Sequence, residues 1–178
     1  TGTLQAARNG VYRVQVTDSN GSTATASCVV NHIDAEAPLL TDSSVSPTGW
    51  AKEKTVTLTV SDQCTPLFTD TGLSNGYGGS GVATVEWKLS TADDSAYQTA
   101  TLSGSTATFT ATASGDYTVK VTDAVGNAAT YTVEVTQVDG TAPSMSVPTI
   151  QSDWQNTAQT VTLTASDTGG SGVEKVEY

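Results

Sequence analysis

The chain has 178 residues, and its 7 Lys plus Arg against 18 Asp plus Glu give a formal charge of -11 at pH 7. That balance repels a nucleic-acid phosphate backbone and an anionic lipid surface alike, so neither is an expected partner. Eighteen consecutive apolar residues occur nowhere, which excludes a helical membrane span, and the weight of Thr, Val, Ser and Gly over helix formers other than Ala predicts an all-β protein.

In chain order, the first predicted element is a hairpin. GVYRVQVTDSNGS (10–22) starts a strand at Tyr12 and closes it with a turn in which Asp18 accepts N–H groups and Gly21 supplies a positive φ. The return strand carries Cys28, and His32 follows it as a solvated polar residue before the linker IDAEAP (33–38). VTLTVSD (56–62) alternates Val56, Leu58 and Val60 with threonines. After it comes QCTPLFTDTGLSNGYGGS (63–80), then VEWKL, which sets Val85, Trp87 and Leu89 opposite Glu86 and Lys88. GDYTVKVTDAVGN (115–127) sets Tyr117, Val119 and Val121 opposite Thr118, Lys120 and Thr122, and its successor sets Tyr131, Val133 and Val135 opposite Thr132, Glu134 and Thr136. Each strand thus has one apolar face, and two sheets must stack to hide such faces.

The pattern is written twice. Seven of thirteen positions in 10–22 are identical in 115–127, 105 residues on, and the same offset relates TGTLQAARNG (1–10) to TATFTATASG (106–115), IDAEAP to VDGTAP (138–143), and VTLTVSD to VTLTASD (161–167). The predicted organisation is therefore residues 1–33 as the closing part of one unit, 34–138 as a whole unit, and 139–178 as the opening part of a third. Eighteen residues separate Asp62 from Gly81 but only four separate Asp167 from Gly172, so the middle unit carries an insertion within 63–80.

SGDYTVKV resembles the corner before strand F of an immunoglobulin domain, VTLTV resembles its strand B and Trp87 its strand C tryptophan, with Val60 and Val119 at the two core cysteine positions. With its DxTAP-type linkers, TDxxGN hairpins and SDxxGSGV loops, the chain is similar to tandem bacterial immunoglobulin-like repeats of secreted and cell-surface proteins. The resemblance implies Greek-key β-sandwiches of about seven strands per module. It implies a bacterial extracellular setting and neighbouring modules of the same chain as partners; it implies no particular ligand.

In such a sandwich the loop after strand B and the loop between strands F and G share a pole with the incoming linker. Asp34, Glu36, Asp62 and Asp123 would meet there, and oxygen-only ligands suit Ca²⁺, as related-looking repeats use it. Asp139 and Asp167 would begin the same site in the next unit. The plainer alternative is that each Asp caps its own turn. Cys28 and Cys64 appear together and vanish together between copies, so Cys64 could fold back and bridge two units; against this, Cys28 aligns with inward-facing Val133 and could be a small buried hydrophobe. Phe68 and Tyr77, in the inserted loop, could form a recognition surface for a glycan or host protein, or the loop could cover the junction. Trp50, Trp87 and Trp154 are expected as core plugs.

No nucleophile, acid and base set accompanies the lone histidine, so no catalysis is expected. The leading expectation is a spacer or stalk segment of a surface or adhesin-type protein. Its rivals are a ligand-binding module using the 63–80 loop and an accessory region of a secreted hydrolase.

Overall fold

Alternating β-branched and polar residues produce twelve strands, which the computed structural model describes over residues 2–64, 79–150 and 152–178. They are β1 (Gly10–Thr17), β2 (Thr23–Val30), β3 (Leu39–Ser46), β4 (Lys54–Ser61), β5 (Val82–Leu89), β6 (Gln98–Thr99), β7 (Thr101–Ser103), β8 (Thr106–Ala111), β9 (Gly115–Asp123), β10 (Ala128–Val135), β11 (Ser144–Ser146) and β12 (Thr164–Ser166). Among the described residues the helical content is one turn of 3-10 helix at Asp94–Ala96. The protein is all-β, with antiparallel sheets in an arrangement compatible with a β-sandwich.

Two sheets have four strands, in the orders β3-β4-β8-β7 and β10-β9-β5-β6; two more are the pairs β1-β2 and β11-β12. One apolar cluster draws on both four-stranded sheets: Val56 and Leu58 of β4, Phe109 of β8, Val85 of β5, and Val119 and Val121 of β9 are all buried within it. Burying one such aliphatic side chain contributes roughly 1.5–3 kcal/mol. Trp87 packs at the edge of this cluster, stacked on Phe109 with ring centroids 4.4 Å apart, while Tyr117 tilts against both rings. On the far face of β5, Lys88 is buried rather than wet, because its ammonium reaches the Ala92 carbonyl at 2.6 Å and Asp94 at 3.0 Å. Its apolar stem lies under the 90–97 segment as a result.

The two copies of the hairpin share most of their hydrogen bonds. Tyr117 Oη donates to the Ala113 carbonyl at 2.9 Å, and Tyr12 Oη donates to that of Arg8 at 2.8 Å. Asp123 Oδ1 accepts from the N–H groups of Val125, Gly126 and Asn127; Asp18 Oδ1 accepts from those of Asn20 and Ser22. Gly126 and Gly21 take φ values of 99° and 85°, where an L side chain is strained. Below each hairpin a side chain clasps the departing linker. Asn9 exchanges two 2.7 Å bonds with the backbone of Ile33, and Ser114 Oγ bonds both the N–H and the carbonyl of Val138.

Burial separates the copies. Val119 and Val121 are fully buried, whereas Val14 and Val16 are 47% and 62% exposed. Cys28, expected at a buried place like that of Val133, is exposed for the same reason: β1-β2 is a two-stranded sheet with no second sheet against it among the described residues. The tryptophan expectation is corrected in two of three cases. Trp87 packs on the core, but Trp154 is fully exposed and Trp50 is about half exposed, standing over Gly170 where a Cβ would come within 2.9 Å of its ring.

Candidate functional site

Asp34, Asp62 and Asp123 converge where the linker 33–38 meets the ends of β4 and β9, each offering a carboxylate oxygen within 4.8 Å of the others. Three separate local features place them. Asp34 sits in the linker, held because Asn127 Nδ2 donates to its carbonyl at 3.3 Å and Tyr131 Oη donates to the Pro38 carbonyl at 2.9 Å. Asp62 follows the last residue of β4, and Asp123 ends β9 as the buried cap of the hairpin.

Their hydrogen bonds differ sharply. Asp123 is the most heavily bonded: besides the three turn N–H groups on Oδ1, its Oδ2 accepts from Asn127 Nδ2 at 2.7 Å. Asp34 Oδ2 accepts from Ser80 N–H at 2.6 Å, and Oδ1 from Glu36 N–H at 3.3 Å. Asp62 Oδ2 accepts from Gly81 N–H at 2.6 Å, but its buried Oδ1 has no hydrogen-bond partner among the described residues. An unsatisfied buried acceptor costs about 1–3 kcal/mol.

The electrostatics follow. Burial raises the Asp62 carboxyl above the ordinary carboxylate range, the Gly81 N–H opposes that, and the negative charges of Asp34 and Asp123 reinforce it. The Ser80 N–H lowers Asp34 below that range, against the effect of burial. Asp62 therefore takes up a proton before Asp34 as pH falls.

The second linker rebuilds half of this arrangement. Asp139 Oδ2 accepts from Ser171 N–H at 3.0 Å and Ser171 Oγ at 2.6 Å, Oδ1 accepts from Thr141 N–H at 2.9 Å, and Asp167 Oδ2 accepts from Gly172 N–H at 2.7 Å. The Ser171 hydroxyl, ahead of the backbone N–H groups, lowers the Asp139 carboxyl. Gly81 and Gly172 hold φ near 93° and 84°, which aims their N–H groups at the two post-strand aspartates. A Cβ on Gly79 would strike Asp62, and one on Gly169 would strike Asp139.

The sequence-predicted set is thus brought together except for Glu36, which enters through its backbone N–H to Asp34 while the described carboxylate cluster consists of the three aspartates. Asp34 and Asp123 accept N–H groups of their own turns, Asp62 accepts that of Gly81 nineteen residues on, and the three carboxylates face one another. A hard cation fits the donor set, since all donors are oxygens and Asp62 Oδ1 accepts no hydrogen bond among the described residues. Asp34, Asp62 and Asp123 would hold it, with further oxygens completing the coordination.

Cys28 and Cys64 are not joined: Cys28 is exposed opposite Tyr12, whereas Cys64 is buried with Asn9 Nδ2 3.3 Å from its Sγ. Phe68 and Tyr77 lie outside the described residues. Sequence reasoning missed Ser80, Ser171 and Asn127, which tie the linkers down. The clue was available, because SG recurs at 80–81 and 171–172, each time followed by Val. Comparison with protein-family models, curated proteins and solved structures finds no match.

Proposed function

We propose that the chain is a spacer segment of an extracellular bacterial surface protein, built of tandem immunoglobulin-like sandwiches and performing no catalysis. The observation that carries this reading is that the linker between units is fastened twice by the same chemistry: Asp34 to Ser80 and Asp139 to Ser171, with Asp62 and Asp167 on Gly81 and Gly172. A chain that invests repeated hydrogen bonds in its joints restricts bending, which is what a spacer needs.

The strand orders support the immunoglobulin-like part. β3-β4-β8-β7 corresponds to strands A, B, E and D, and β10-β9-β5 to G, F and C, with β6 added beside C. Tyr117 bonding back to Ala113 is the corner hydrogen bond of that fold. Val60 and Val119, both buried, fill the places of the core cysteine pair. In this reading Ca²⁺ bound by Asp34, Asp62 and Asp123 stiffens the joint by neutralising carboxylates that otherwise repel.

Small-angle scattering tests the reading on the chain and on Ser171→Ala with Asp139→Ala. The parent is expected to give an elongated particle with a narrow range of maximum dimension, and the double variant a broader one. A compact parent profile, or no difference between the two, overturns it.

A further inference from the structure

At the first linker Asn9, Glu36 and Cys64 line one small cavity of about 60 Å³, together with the exposed Ala7 and Arg8. Asn9 and Cys64 are 2% and 8% exposed, and Asn9 Nδ2 lies 3.3 Å from Cys64 Sγ although 55 positions separate them in the chain. A sulfur nucleophile and an acyl carbon are thereby held together in a site that water hardly enters. Such placement turns a slow reaction between separate groups into a fast one between neighbours.

The Asn9 carboxamide is also polarised. Ile33 N–H donates to its Oδ1 at 2.7 Å, where it draws electrons from the carbonyl carbon and is placed to stabilise negative charge on that oxygen. Nδ2 donates to the Ile33 carbonyl at 2.7 Å, which fixes the amide plane between the linker and Cys64. Clasping the linker does not by itself require an amide: in the other copy Ser114 makes both bonds to Val138 with one hydroxyl. What asparagine adds is the reach to Cys64.

The three groups change as a set between the copies. At the offset of 105, Ser114 stands where Asn9 does and Thr141 where Glu36 does, and the third unit has no insertion to hold a counterpart of Cys64. Residues so far apart in the chain, sharing one cavity and replaced together, point to a common chemical task.

We propose that Cys64 and Asn9 join in a thioester that ties the first unit to the middle one. Sγ leaves its place beside the amide N–H and attacks Cγ from one face of the carboxamide. The S–C bond forms, the C–N bond breaks, and Nδ2 departs as ammonia with the thiol proton. The Glu36 carboxylate, on the wall of the same cavity, carries that proton from sulfur to nitrogen. No oxidant or reductant enters the step. An amide is the more stable acyl group, so the exchange is driven by escape of ammonia past the exposed Ala7 and Arg8. The event happens once per chain, as self-processing without turnover. It rests on the contact of Asn9 with Cys64, and not on what the chain spaces apart.

Intact mass of the denatured chain, with iodoacetamide to count thiols, decides it. The parent is expected to weigh one ammonia less than its sequence and to be alkylated at Cys28 alone; methylamine should then add to Asn9 and free the Cys64 thiol for alkylation. Cys64→Ala and Asn9→Ser are expected at their full sequence masses, the second keeping the hydroxyl clasp that Ser114 provides in the other copy. Circular dichroism matching the parent's shows that both variants fold. Glu36→Gln should convert more slowly, and conversion at the parent's rate overturns its part as proton carrier. A parent at full mass with both cysteines alkylated overturns the thioester. So does an ammonia deficit that persists in Cys64→Ala, because cyclisation of Asn9 onto the Gly10 backbone loses the same ammonia without any thiol.

Discussion

The hairpins β1-β2 and β9-β10 have the same turn, the same tyrosine bond and the same clasp on the outgoing linker, yet one is exposed and the other forms the centre of a core. Local hydrogen bonding is therefore specified by about twenty residues on their own. Burial is not: it depends on a second sheet, which among the described residues the middle region supplies. The difference separates what a repeat writes in each copy from what it gains through neighbours.

Core truncation should break the comparison most strongly. Leu58→Ala is expected to lose about 2–5 kcal/mol in chemical denaturation, since it leaves a cavity between two sheets. Leu163→Ala, its counterpart, should change stability by no more than about 0.5 kcal/mol in the monomer. Equal effects at the two sites would mean that the flanks are packed in solution.

Metal should sharpen the contrast between the linkers, because three carboxylates meet at the first and two aspartates, bridged by Ser171, at the second. Ca²⁺ at a hundredfold excess over its dissociation constant would stabilise by about 2.7 kcal/mol through mass action. Calorimetry with EDTA, then with added Ca²⁺, should show the melting temperature fall and recover. An unchanged melt rejects the cation.

The hairpin cap comes next. Asp123→Ala strands three backbone N–H groups and the Asn127 amide, for an expected loss of roughly 1–3 kcal/mol. Asp18→Ala should cost less, because water reaches the N–H groups it leaves. Tyr117→Phe is expected to cost about 1 kcal/mol for its one hydrogen bond, with the ring packing kept.

The smallest effect is a pH dependence of opposite sign within one cluster. Asp62, raised by burial and by two neighbouring charges, contributes stability that is complete below the ordinary carboxylate value and lost as pH rises through its folded one. Asp34, lowered by the Ser80 N–H, contributes stability present above the ordinary value and lost as pH falls through its folded one. Asp62→Asn should accordingly be more stable than the parent at neutral pH without metal, and should lose the response to Ca²⁺. A less stable variant under EDTA would show that the Asp62 charge is not a liability.

Much of this was legible in the residues. Period-two alternation gave the buried faces of β4 and β9, and the recurrence of TDxxGN located both hairpin turns. The meeting of Asp34, Asp62 and Asp123 was also readable, because turn chemistry places each of them at a strand end. Three things were not. Trp50 and Trp154 look apolar in the sequence but stand outside the strands, half exposed and fully exposed. Parity with Val133 pointed Cys28 inward, and parity says nothing about whether a partner layer is present. Glu36 has the right charge for the cluster, but its backbone, two residues past Asp34, is what closes the turn.

The short parallel bridge at the exit of the middle region has a mechanical consequence. Ala51 N–H donates to the Gln137 carbonyl and Asp139 N–H donates to that of Ala51, at 3.1 and 2.8 Å, so tension arriving through residue 139 meets these bonds before it reaches β10. In the spacer proposed above, both bonds would share the load before β10 bears it. Load is thereby passed to the approach to β4, and the hairpin behind it is shielded until that fastening gives way.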